Sequence, residues 1–558
     1  MALASFAACP HDPPLVEGLA TSGDESSTTR VDPPTGGETT ASAACSDLLC
    51  ADGFMLPCVD GVPGAPVECD GPCVDGVGCV DCEAGTTRCT EVGLERCDDA
   101  GVWVLQTACN AAQGFACDLD AGACTGPCQA DVLANSGHLG CEFYAVSIAA
   151  LIQGDEAFGV LVTNPGDEPA TITAERPLWS GATVVVPPHA SAEVFLPWAQ
   201  HLLTAVDTSL AGEAAVHVQS DRPVAVVQHS PLIPGHSAEA SLLIPVHAWG
   251  AAYRVASAAS RFGFAGLYAV VSAADGVTVD LAPRSGVAVM PGDGVAADGT
   301  GSVLLDRGDV LQVLAAPDHD LTGTGVTADG PIAVLGGHAC GQVPFDVPTC
   351  DHLEESMLPV VQLGRTHAIV PPLRADGGTR RDQVVRIIAA ADLTALEFEP
   401  PQDISPMLVY AGDHIDVPPG DAAFVVTSSA PVLVAQYMLG LGWDSDDGAP
   451  SLTIAAPVER FRGAHTIPVA PHWSLTDVDV VAPVRAVVTL DGDPLTDWTP
   501  IGASGLAYAH VRLVPLGGTS HTLVGDVPIG ATVYGPVGSP PNSTSYWHPA
   551  GHSFAPGR

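Results

Sequence analysis

Two short signatures recur along most of this chain, and each returns after about one hundred residues. The first is a proline, an apolar residue, a variable residue and a further apolar residue, placed after a turn. Its copies lie 108, 100 and 97 residues apart and begin at Pro223, Pro331, Pro431 and, in weaker form, Pro528. The second is a Pro-Val pair followed by a glycine and then by an aromatic residue or a histidine. It occurs at Pro245 with Gly250 and Tyr253, at Pro359 with Gly364 and His367, and at Pro457 with Gly463 and His465.

Two signatures that recur with the same spacing indicate one repeated building block. The simpler alternative is a β-rich composition in which the Pro-Val pairs recur by coincidence. Gly140 to Tyr144 matches the entry of such a block without the preceding Pro-Val pair. We therefore predict a region of four units, with bounds near 140–249, 250–363, 364–462 and 463–558.

The residues within each unit favour β-strands over helices. Short apolar, β-branched runs alternate with Gly, Asp and Pro, and helical periodicity over a dozen residues is hard to find. Strand candidates in the first unit are Phe158–Thr163, Ala182–Val186, Ala192–Leu196 and Ala214–Gln219. We predict an all-β fold of about four β-sandwich-like repeats of ~100 residues, with a closed propeller-like ring as the alternative. The signature proline is expected at the first position of a strand, where its missing N–H is tolerated.

The cysteines mark out a second region upstream. Of the 17 cysteines, fourteen lie from Cys45 to Cys141, two lie far downstream, and Cys9 stands alone. Residues 45–139 hold few aliphatic side chains, so a domain there needs covalent staples, and disulfides imply export. Thirteen cysteines in 45–128 leave one without a partner, for which Cys141 is the nearest candidate. We predict disulfides for Cys45, Cys50, Cys58, Cys69, Cys73, Cys79, Cys82, Cys89, Cys97, Cys109, Cys117, Cys124, Cys128, Cys141, Cys340 and Cys350, with pairing left open.

Cys9 has a different expected use. The residues before it, Leu3-Ala-Ser-Phe-Ala-Ala, resemble the end of a bacterial lipoprotein signal, except that Phe6 stands where leucine is usual. Eight residues are too few for a complete leader, so we expect a truncated signal at 1–9, a translation start further upstream and a lipid on Cys9. A free thiol in a disordered tail is the alternative. Residues 10–44 are rich in Pro, Gly, Ser, Thr, Asp and Glu, which predicts a disordered acidic tether.

The charge balance excludes one class of partner. The 19 Lys and Arg against 64 Asp and Glu leave a formal net charge of −45, which repels nucleic-acid backbones. The sequence contains no run of 18 apolar residues, so we expect membrane attachment only through the lipid anchor.

Four segments resemble one known family. They begin at Phe158 (FGVLVTNPGD), Gly336 (GGHAC), Cys350 (CDHLEE) and Ser545 (SYWHPAG), and the match is most specific from Cys340 to Glu355. They are similar to the N-terminal domain family of the IgG Fc-binding protein, in the form found in myxobacterial-type surface lipoproteins. The resemblance spans about 141–558 and implies a secreted or surface binding and adhesion module. Immunoglobulin binding is not carried over, because no residue pattern here marks an Fc contact.

Candidate metal sites compete with simpler explanations. His338, Cys340, Cys350 and His352 lie within 15 residues and are a possible zinc set, but in an oxidising compartment we expect a Cys340–Cys350 disulfide. The neighbouring Asp351, Glu354 and Glu355 supply oxygen ligands for a calcium alternative. Residues 443–448 (WDSDDG) resemble the start of a calcium loop, but Ala455 stands where the twelfth-position glutamate is needed, which favours a solvated turn.

Taken together, these patterns predict a lipid-anchored or secreted protein at the outer cell surface. We expect it to recognise an unknown protein or glycan ligand through loops on the β scaffold, with no cofactor and no catalysis. Local hydrolase motifs are missing from the sequence. Two alternatives stay open: a secreted metal-dependent hydrolase that uses the His338 to His352 cluster, and a purely structural envelope component.

Overall fold

The structure is a computed structural model, and it describes residues 45, 47–151, 156–233, 235, 237–344, 349–440, 448–469, 471–473, 475–513, 520–537 and 544–554. The lipid site predicted at Cys9, the tether predicted at 10–44 and all but the last residue of the calcium-loop candidate at 443–448 lie outside these residues. The chain forms two compact units. One comprises 45–84 and Asp99–Val102, and the other comprises Gly85–Asp98 and the chain from Trp103 onward.

The first compact unit has little hydrophobic core. Among its described residues, Val80 and Cys82 are the buried hydrophobic side chains. Its strands are very short: Leu49–Ala51, Phe54–Leu56, Cys58–Val59, Val62–Pro63, Val67–Glu68, Cys73–Val74 and Gly78–Cys79. Three disulfides join Cys45 to Cys58, Cys50 to Cys73 and Cys69 to Cys79. Covalent cross-links replace the missing core, because they reduce the conformational freedom of the unfolded chain.

The second compact unit begins with more disulfide-linked strands. Thr87–Thr90, Gly93–Cys97 and Trp103–Ala108 form an antiparallel sheet, and Ala116–Asp118 pairs with Ala123–Thr125. A 3-10 turn at Ala111–Gln113 and a helix at Ala130–Leu133 follow the same stretch. Disulfides join Cys89 to Cys117, Cys109 to Cys124 and Cys128 to Cys141. All sixteen cysteines from Cys45 to Cys350 are disulfide-bonded.

The remainder of this unit contains four successive sets of strands, here called repeats 1 to 4. Repeat 1 has Gly140–Ala145, Phe158–Asn164, Ala170–Glu175, Ala182–Val186, Ala190–Leu196, the helix Gln200–Leu203, Ser209–Ala211, Val216–Ser230, Glu239–Leu242 and the 3-10 turn Val246–Ala248. Repeat 2 has Gly250–Arg254, Gly266–Ser272, Val277–Ala282, Gly301–Leu305, Val310–Leu314, Gly325–Gly341, Asp351–Ser356 and the 3-10 turn Val360–Gln362. Repeat 3 has Gly364–Ile369, Gln383–Ala389, Thr394–Glu399, Met407–Leu408, His414–Gly420, Phe424–Met438, Ser451–Ile454 and the 3-10 turn Val458–Arg460. Repeat 4 has Arg462–Pro468, Thr476–Pro483, Val488–Leu490, Asp493–Pro494, Thr499–Pro500, Leu506–Leu513, Ser520–Val537 and Thr544–Pro549. The all-β prediction is confirmed.

One long strand is the centre of each repeat. In repeat 2 this is Gly325–Gly341: its first half pairs with Gly250–Arg254 and Val277–Ala282, and its second half pairs with Gly266–Ser272 and Asp351–Ser356. The long strand therefore belongs to two small layers, which gives the sandwich-like character. The equivalent strands are Val216–Ser230, Phe424–Met438 and Ser520–Val537.

The signature prolines lie in the middle of the long strands, so the expectation that they begin a strand was wrong. In repeat 1 the register jumps from Gly140 opposite Val224 to Glu142 opposite Gln219, and Pro223 lies in this bulge. A residue in such a bulge has no hydrogen-bonding partner on the neighbouring strand, so the missing N–H of proline loses no hydrogen bond there. The bulge is the point at which the long strand passes from one layer to the other.

The second signature also has a steric cause. The glycine that opens a repeat packs against the proline that closes the same repeat, and a Cβ on Gly250 would lie 2.6 Å from the Cβ of Pro359. The same contact joins Gly140 to Pro245 and Gly364 to Pro457. Glycine and proline therefore recur in phase because they touch. In repeat 4, Arg462 takes the glycine's register position, one residue before Gly463.

The four repeats close into a ring. The last strand of each repeat, here called the axial strand, is Glu239–Leu242, Asp351–Ser356, Ser451–Ile454 or Thr544–Pro549. Each axial strand contacts those of the two neighbouring repeats, and repeat 4 contacts repeat 1 in the same way. This is the closed, propeller-like ring that the sequence predicts as the alternative arrangement of the repeats.

Arg462 helps to seal the junction between the ends of the ring. Its Nη1 donates to the carbonyl oxygen of Ser136 at 3.0 Å and lies 2.8 Å from Nδ1 of His138. The backbone N–H of His138 in turn donates to the carbonyl oxygen of His552 at 3.0 Å. Among the helices of the described residues, none has the length and apolar character needed to cross a membrane.

Candidate functional site

The structure contains the disulfide that we expect between Cys340 and Cys350, and the alternative zinc set is not formed. Cys340 and Cys350 are joined by a disulfide, so neither sulfur is available as a thiolate ligand. His338 is buried: its Nδ1 accepts the backbone N–H of Cys340 at 3.0 Å, and its Nε2 lies 3.2 Å from the carbonyl oxygen of Ala259. Burial lowers the pKa of His338 to about 4. His352 is also buried and lies 3.4 Å from Glu354, and the described residues hold no group of His, Cys, Asp or Glu side chains arranged to bind a metal ion.

The carboxylates considered for calcium are buried at the axis of the ring and face hydrogen-bond donors. Asp351 accepts from the hydroxyls of Ser237 at 2.7 Å and Thr544 at 2.6 Å, and from the backbone N–H of Ala238 at 2.9 Å. Ser237 and Ala238 precede the axial strand of repeat 1, and Thr544 begins that of repeat 4. Burial raises the pKa of Asp351 to about 7. Asp351 thus cross-links three repeats.

The two glutamates beside Asp351 also bind donors of repeat 1. Glu354 accepts from Nε2 of Gln228 at 2.5 Å and from Ser230, while Glu355 accepts from Ser241 at 2.8 Å. Burial raises the pKa of Glu355 well above its usual value. These contacts join repeats 1 and 2, and their role is to hold the ring together.

Glu239 performs the same role, and the sequence interpretation did not single it out. Its carboxyl group accepts the backbone N–H groups of Leu452 at 2.8 Å and Trp547 at 3.0 Å, and the hydroxyl of Ser451 at 2.8 Å. Glu239 therefore ties repeat 1 to repeats 3 and 4 across the axis. Burial raises its pKa well above the usual value.

A solvent-accessible cleft lies between repeats 1 and 2, and its composition differs from that of the buried axis. We name it the Arg307 cleft; its volume is about 420 Å³. Its lining combines charged, aromatic and small residues: Tyr144, Glu175, Arg176, Pro177, Trp179, Ser180, Gly181, Glu213, Ala215, His217, Arg307 and Gly308. Clefts of this size that hold a few polar groups beside aromatic rings are typical small-ligand sites.

A chain of polar contacts forms the floor of the cleft. Tyr144 stacks on His217 with 4.7 Å between ring centroids, and Nε2 of His217 lies 2.9 Å from Oε1 of Glu142. Nε2 of Gln113 donates to the other oxygen of Glu142 at 3.2 Å. Burial acts to raise the pKa of Glu142, but the bonds from His217 and Gln113 outweigh it, so the pKa is lowered. Glu142 is therefore an anion that holds the His217 and Tyr144 rings in place.

Arg307 reaches this floor from repeat 2. Its Nη1 donates to the hydroxyl of Tyr144 at 3.3 Å and lies 3.8 Å from Glu142. Its side chain is still 54% exposed. A guanidinium has five N–H donors, so most of the hydrogen-bonding capacity of Arg307 faces neither of these two partners.

One wall of the cleft is the turn from Glu175 to Gly181. Arg176 anchors the turn, since its Nη1 donates to the carbonyl oxygen of Pro197 at 3.0 Å. The backbone N–H of Trp179 donates to the carbonyl oxygen of Arg176. Trp179 is half-buried against the core of repeat 1. Leu178, between two lining residues, is fully exposed and has a left-handed φ of 65°.

The opposite wall is held by a segment of repeat 1 that crosses into repeat 2. Ser209–Ala211 pairs with Val310–Leu314. The side chain of Gln312 binds two further parts of repeat 1, since its Nε2 donates to the carbonyl oxygen of Leu202 and its Oε1 accepts the backbone N–H of Ala149. The segment then leads to Glu213, which lines the cleft. Because strand pairing joins the two repeats, the walls of the cleft have a set separation.

A second groove, which we name the Phe262 groove, begins at the other end of the crossing segment. Its volume is about 450 Å³ and its lining includes Leu203, Val206, Phe262 and Met290. The side chains of Phe262 and Val206 are about three-quarters exposed. This groove offers mainly apolar contact.

Sequence reasoning did not find the Arg307 cleft, because its residues come from two repeats. The sequence places Tyr144 at the entry of the first repeat unit and His217 in a strand candidate, and it gives no role to Arg307. One local signal was present: the turn Arg176-Pro-Leu-Trp-Ser-Gly181 places two large apolar residues among turn formers, an unusual composition for a solvated loop.

Comparisons with known proteins agree with the resemblance seen in the sequence. The profile of the family described as IgGFc binding protein matches residues 239–535, which is more than half of the chain and runs from the axial strand of repeat 1 into the long strand of repeat 4. The human protein named IgGFc-binding protein (Homo sapiens) is 28% identical over 295 residues. The match covers 50% of this chain and 5% of the human protein, so the chain spans a small part of that relative. The chain belongs to the IgGFc-binding protein family.

Proposed function

We propose that this is a surface-exposed or secreted binding and adhesion protein that recognises its partner through loops on a rigid β ring, without catalysis. The observation that carries the proposal is the Arg307 cleft, in which exposed charged side chains and the half-buried ring of Trp179 lie on walls fixed by strand pairing. Recognition residues on loops held by a rigid scaffold are the usual arrangement in binding proteins. The name of the human relative refers to the Fc part of IgG; for this chain we propose only a protein or glycan ligand at a cell surface.

The ring supports this proposal through its internal cross-links. The axial carboxylates bind donors of two or three repeats each, and the crossing segment joins repeats 1 and 2 by backbone hydrogen bonds. Little conformational entropy is then lost at the cleft when a ligand binds, which favours affinity. The disulfides fit an oxidising, extracellular location.

The binding of labelled full-length protein to intact cells and isolated envelopes tests the function. We expect saturable binding that Leu178→Ser weakens at least tenfold, because Leu178 is fully exposed between Pro177 and Trp179, which line the cleft. Leu393→Ser is the matched control, since Leu393 is also exposed and also has a left-handed φ, of 54°. Equal loss in both variants would refute the role of the cleft, and the lack of any saturable binding would favour a structural envelope component.

The attachment is a separate part of the proposal. We propose a lipid on Cys9, a tether at 10–44, a disulfide module at 45–139 and the four-unit region beyond it. Cell fractionation should find the protein with membranes and a Cys9→Ser variant in the soluble fraction, and mass spectrometry should find a diacylglyceryl group on Cys9. An unmodified Cys9 in membrane-free protein would contradict this arrangement.

A further inference from the structure

The charges around the Arg307 cleft act against ionic ligands of either sign. Two cationic side chains and four carboxylates lie in the cleft, beneath it or beside Arg307: Arg176, Arg307, Glu142, Glu175, Glu213 and Asp275. A carboxylate or phosphate ligand would meet these like charges, and an ammonium ligand would meet Arg307. Uncompensated like charges reject a partner, so the cleft selects a neutral ligand.

The hydrogen-bonding groups of the cleft include both donors and acceptors. Arg307 is half exposed and supplies donors, while the exposed carboxylates of Glu175 and Glu213 supply acceptors from opposite walls. A hydroxyl group both donates and accepts, so a ring that carries several hydroxyls satisfies both kinds of group at once. An apolar ligand would leave these groups without partners, which costs affinity.

The aromatic residues supply the apolar surface that one face of such a ring needs. Trp179 presents a half-buried indole at one wall, and Tyr144 lies at the floor, where its hydroxyl is already bound by Arg307. Aromatic rings with one apolar face and polar neighbours suit amphipathic ligands. The volume of about 420 Å³ lies toward the lower end of the range for small-ligand sites, which suits one or two rings.

We infer that the Arg307 cleft binds a neutral sugar ring, such as a terminal hexose of a glycan, whose apolar face packs on Trp179 while its hydroxyls bind Arg307, Glu175 and Glu213. This inference rests on the proposed function and names the ligand class of the same site. The Phe262 groove does not contribute, since its lining is mainly apolar.

Saturation-transfer NMR on the full-length protein tests the inference with the methyl glycosides of glucose, galactose and mannose, and with glucuronic acid and glucosamine as charged probes. We expect at least one neutral hexoside to bind more tightly than either charged sugar. Arg307→Gln and Glu213→Gln should each weaken that binding at least tenfold. Arg365→Gln is the matched control, because Arg365 is exposed in repeat 3, and it should leave binding unchanged.

Trp179→Ala provides an additional test. Because Trp179 packs on the core of repeat 1, the unfolding temperature of this variant has to be measured together with its hexoside binding. Glu213 is exposed, so its variant keeps the inference testable if the tryptophan variant unfolds. Tighter binding of a charged sugar, hexoside binding that the cleft variants leave intact, or no hexoside binding would each overturn the inference. If none of the hexosides binds while Leu178→Ser still abolishes cell binding, the proposed function stands and the sugar assignment alone fails.

Discussion

Removal of the Glu239 carboxyl group should destabilise the ring more than any exposed acidic substitution. Glu239 is fully buried and accepts the N–H groups of Leu452 and Trp547, which belong to two other repeats. In Glu239→Ala these two N–H groups lose their acceptor, and each buried unsatisfied donor costs about 1–3 kcal/mol. The alanine also removes a buried ionisable group, which offsets part of the loss. We expect the free energy of unfolding to fall by about 2–4 kcal/mol, a large share of the usual 5–15 kcal/mol.

Urea denaturation followed by tryptophan fluorescence measures this effect. The seven tryptophans among the described residues lie in the second compact unit, so their signal reports the unfolding of the unit that contains the ring. Glu397→Ala is the control, because Glu397 is exposed on a strand of repeat 3, and it should change the free energy by less than about 0.5 kcal/mol. Glu239→Gln should fall between the two, since an amide keeps one acceptor but turns a donor toward the remaining N–H groups. A loss below about 1 kcal/mol in Glu239→Ala would refute the role of this carboxyl group as a cross-link.

Two further predictions concern the axis and the repeat boundary. Burial raises the pKa of Asp351 from 3.8 to about 7, so the folded state binds the proton of this carboxyl group more tightly than the unfolded chain does. Proton binding therefore adds to the free energy of unfolding: the contribution is complete below pH 3.8 and is lost as the pH rises to about 7. The difference in unfolding free energy between wild type and Asp351→Asn should therefore change by about 1.4 kcal/mol per pH unit between these limits, and parallel pH profiles of the two proteins would contradict it. Gly250→Ala should destabilise the ring by about 1–3 kcal/mol, because the new Cβ meets Pro359. Gly463→Ala is its control, since no atom lies within 4 Å of its Cβ position, and equal unfolding temperatures of the two variants would show that the glycine–proline contact is unimportant.

The Arg307 cleft cannot be found from single segments of the sequence, because its residues come from two repeats. Arg307 and Tyr144 are 163 residues apart, and they meet where Ser209–Ala211 joins the sheet of repeat 2. A three-residue pairing of this kind leaves no periodic pattern in the sequence. The sequence likewise does not single out Glu239, and it does not show that Asp351, Glu354 and Glu355 bind donors instead of a cation, since those donors belong to other repeats.

The signature proline illustrates a different limit. Its recurrence correctly marked the repeat, but its position was inferred from the rule that proline begins a strand. The long strand runs through Pro223 because the ladder is interrupted there by a bulge, and a bulge depends on the partner strand as well as on the local residues.

The sequence by itself determined the all-β class, the fourfold recurrence, the disulfide-rich character of the upstream region and the family. The first three follow from local chemistry: β-branched alternation, a glycine that touches a proline, and cysteines in a segment with little core. The family follows from the resemblance of four short segments to it. The tertiary structure alone decided that the repeats close into a ring, that Glu239 and Asp351 cross-link its axis, and that Arg307 meets Tyr144 in a cleft. Those features depend on contacts between residues more than a hundred positions apart, and such contacts arise from the packing of whole repeats.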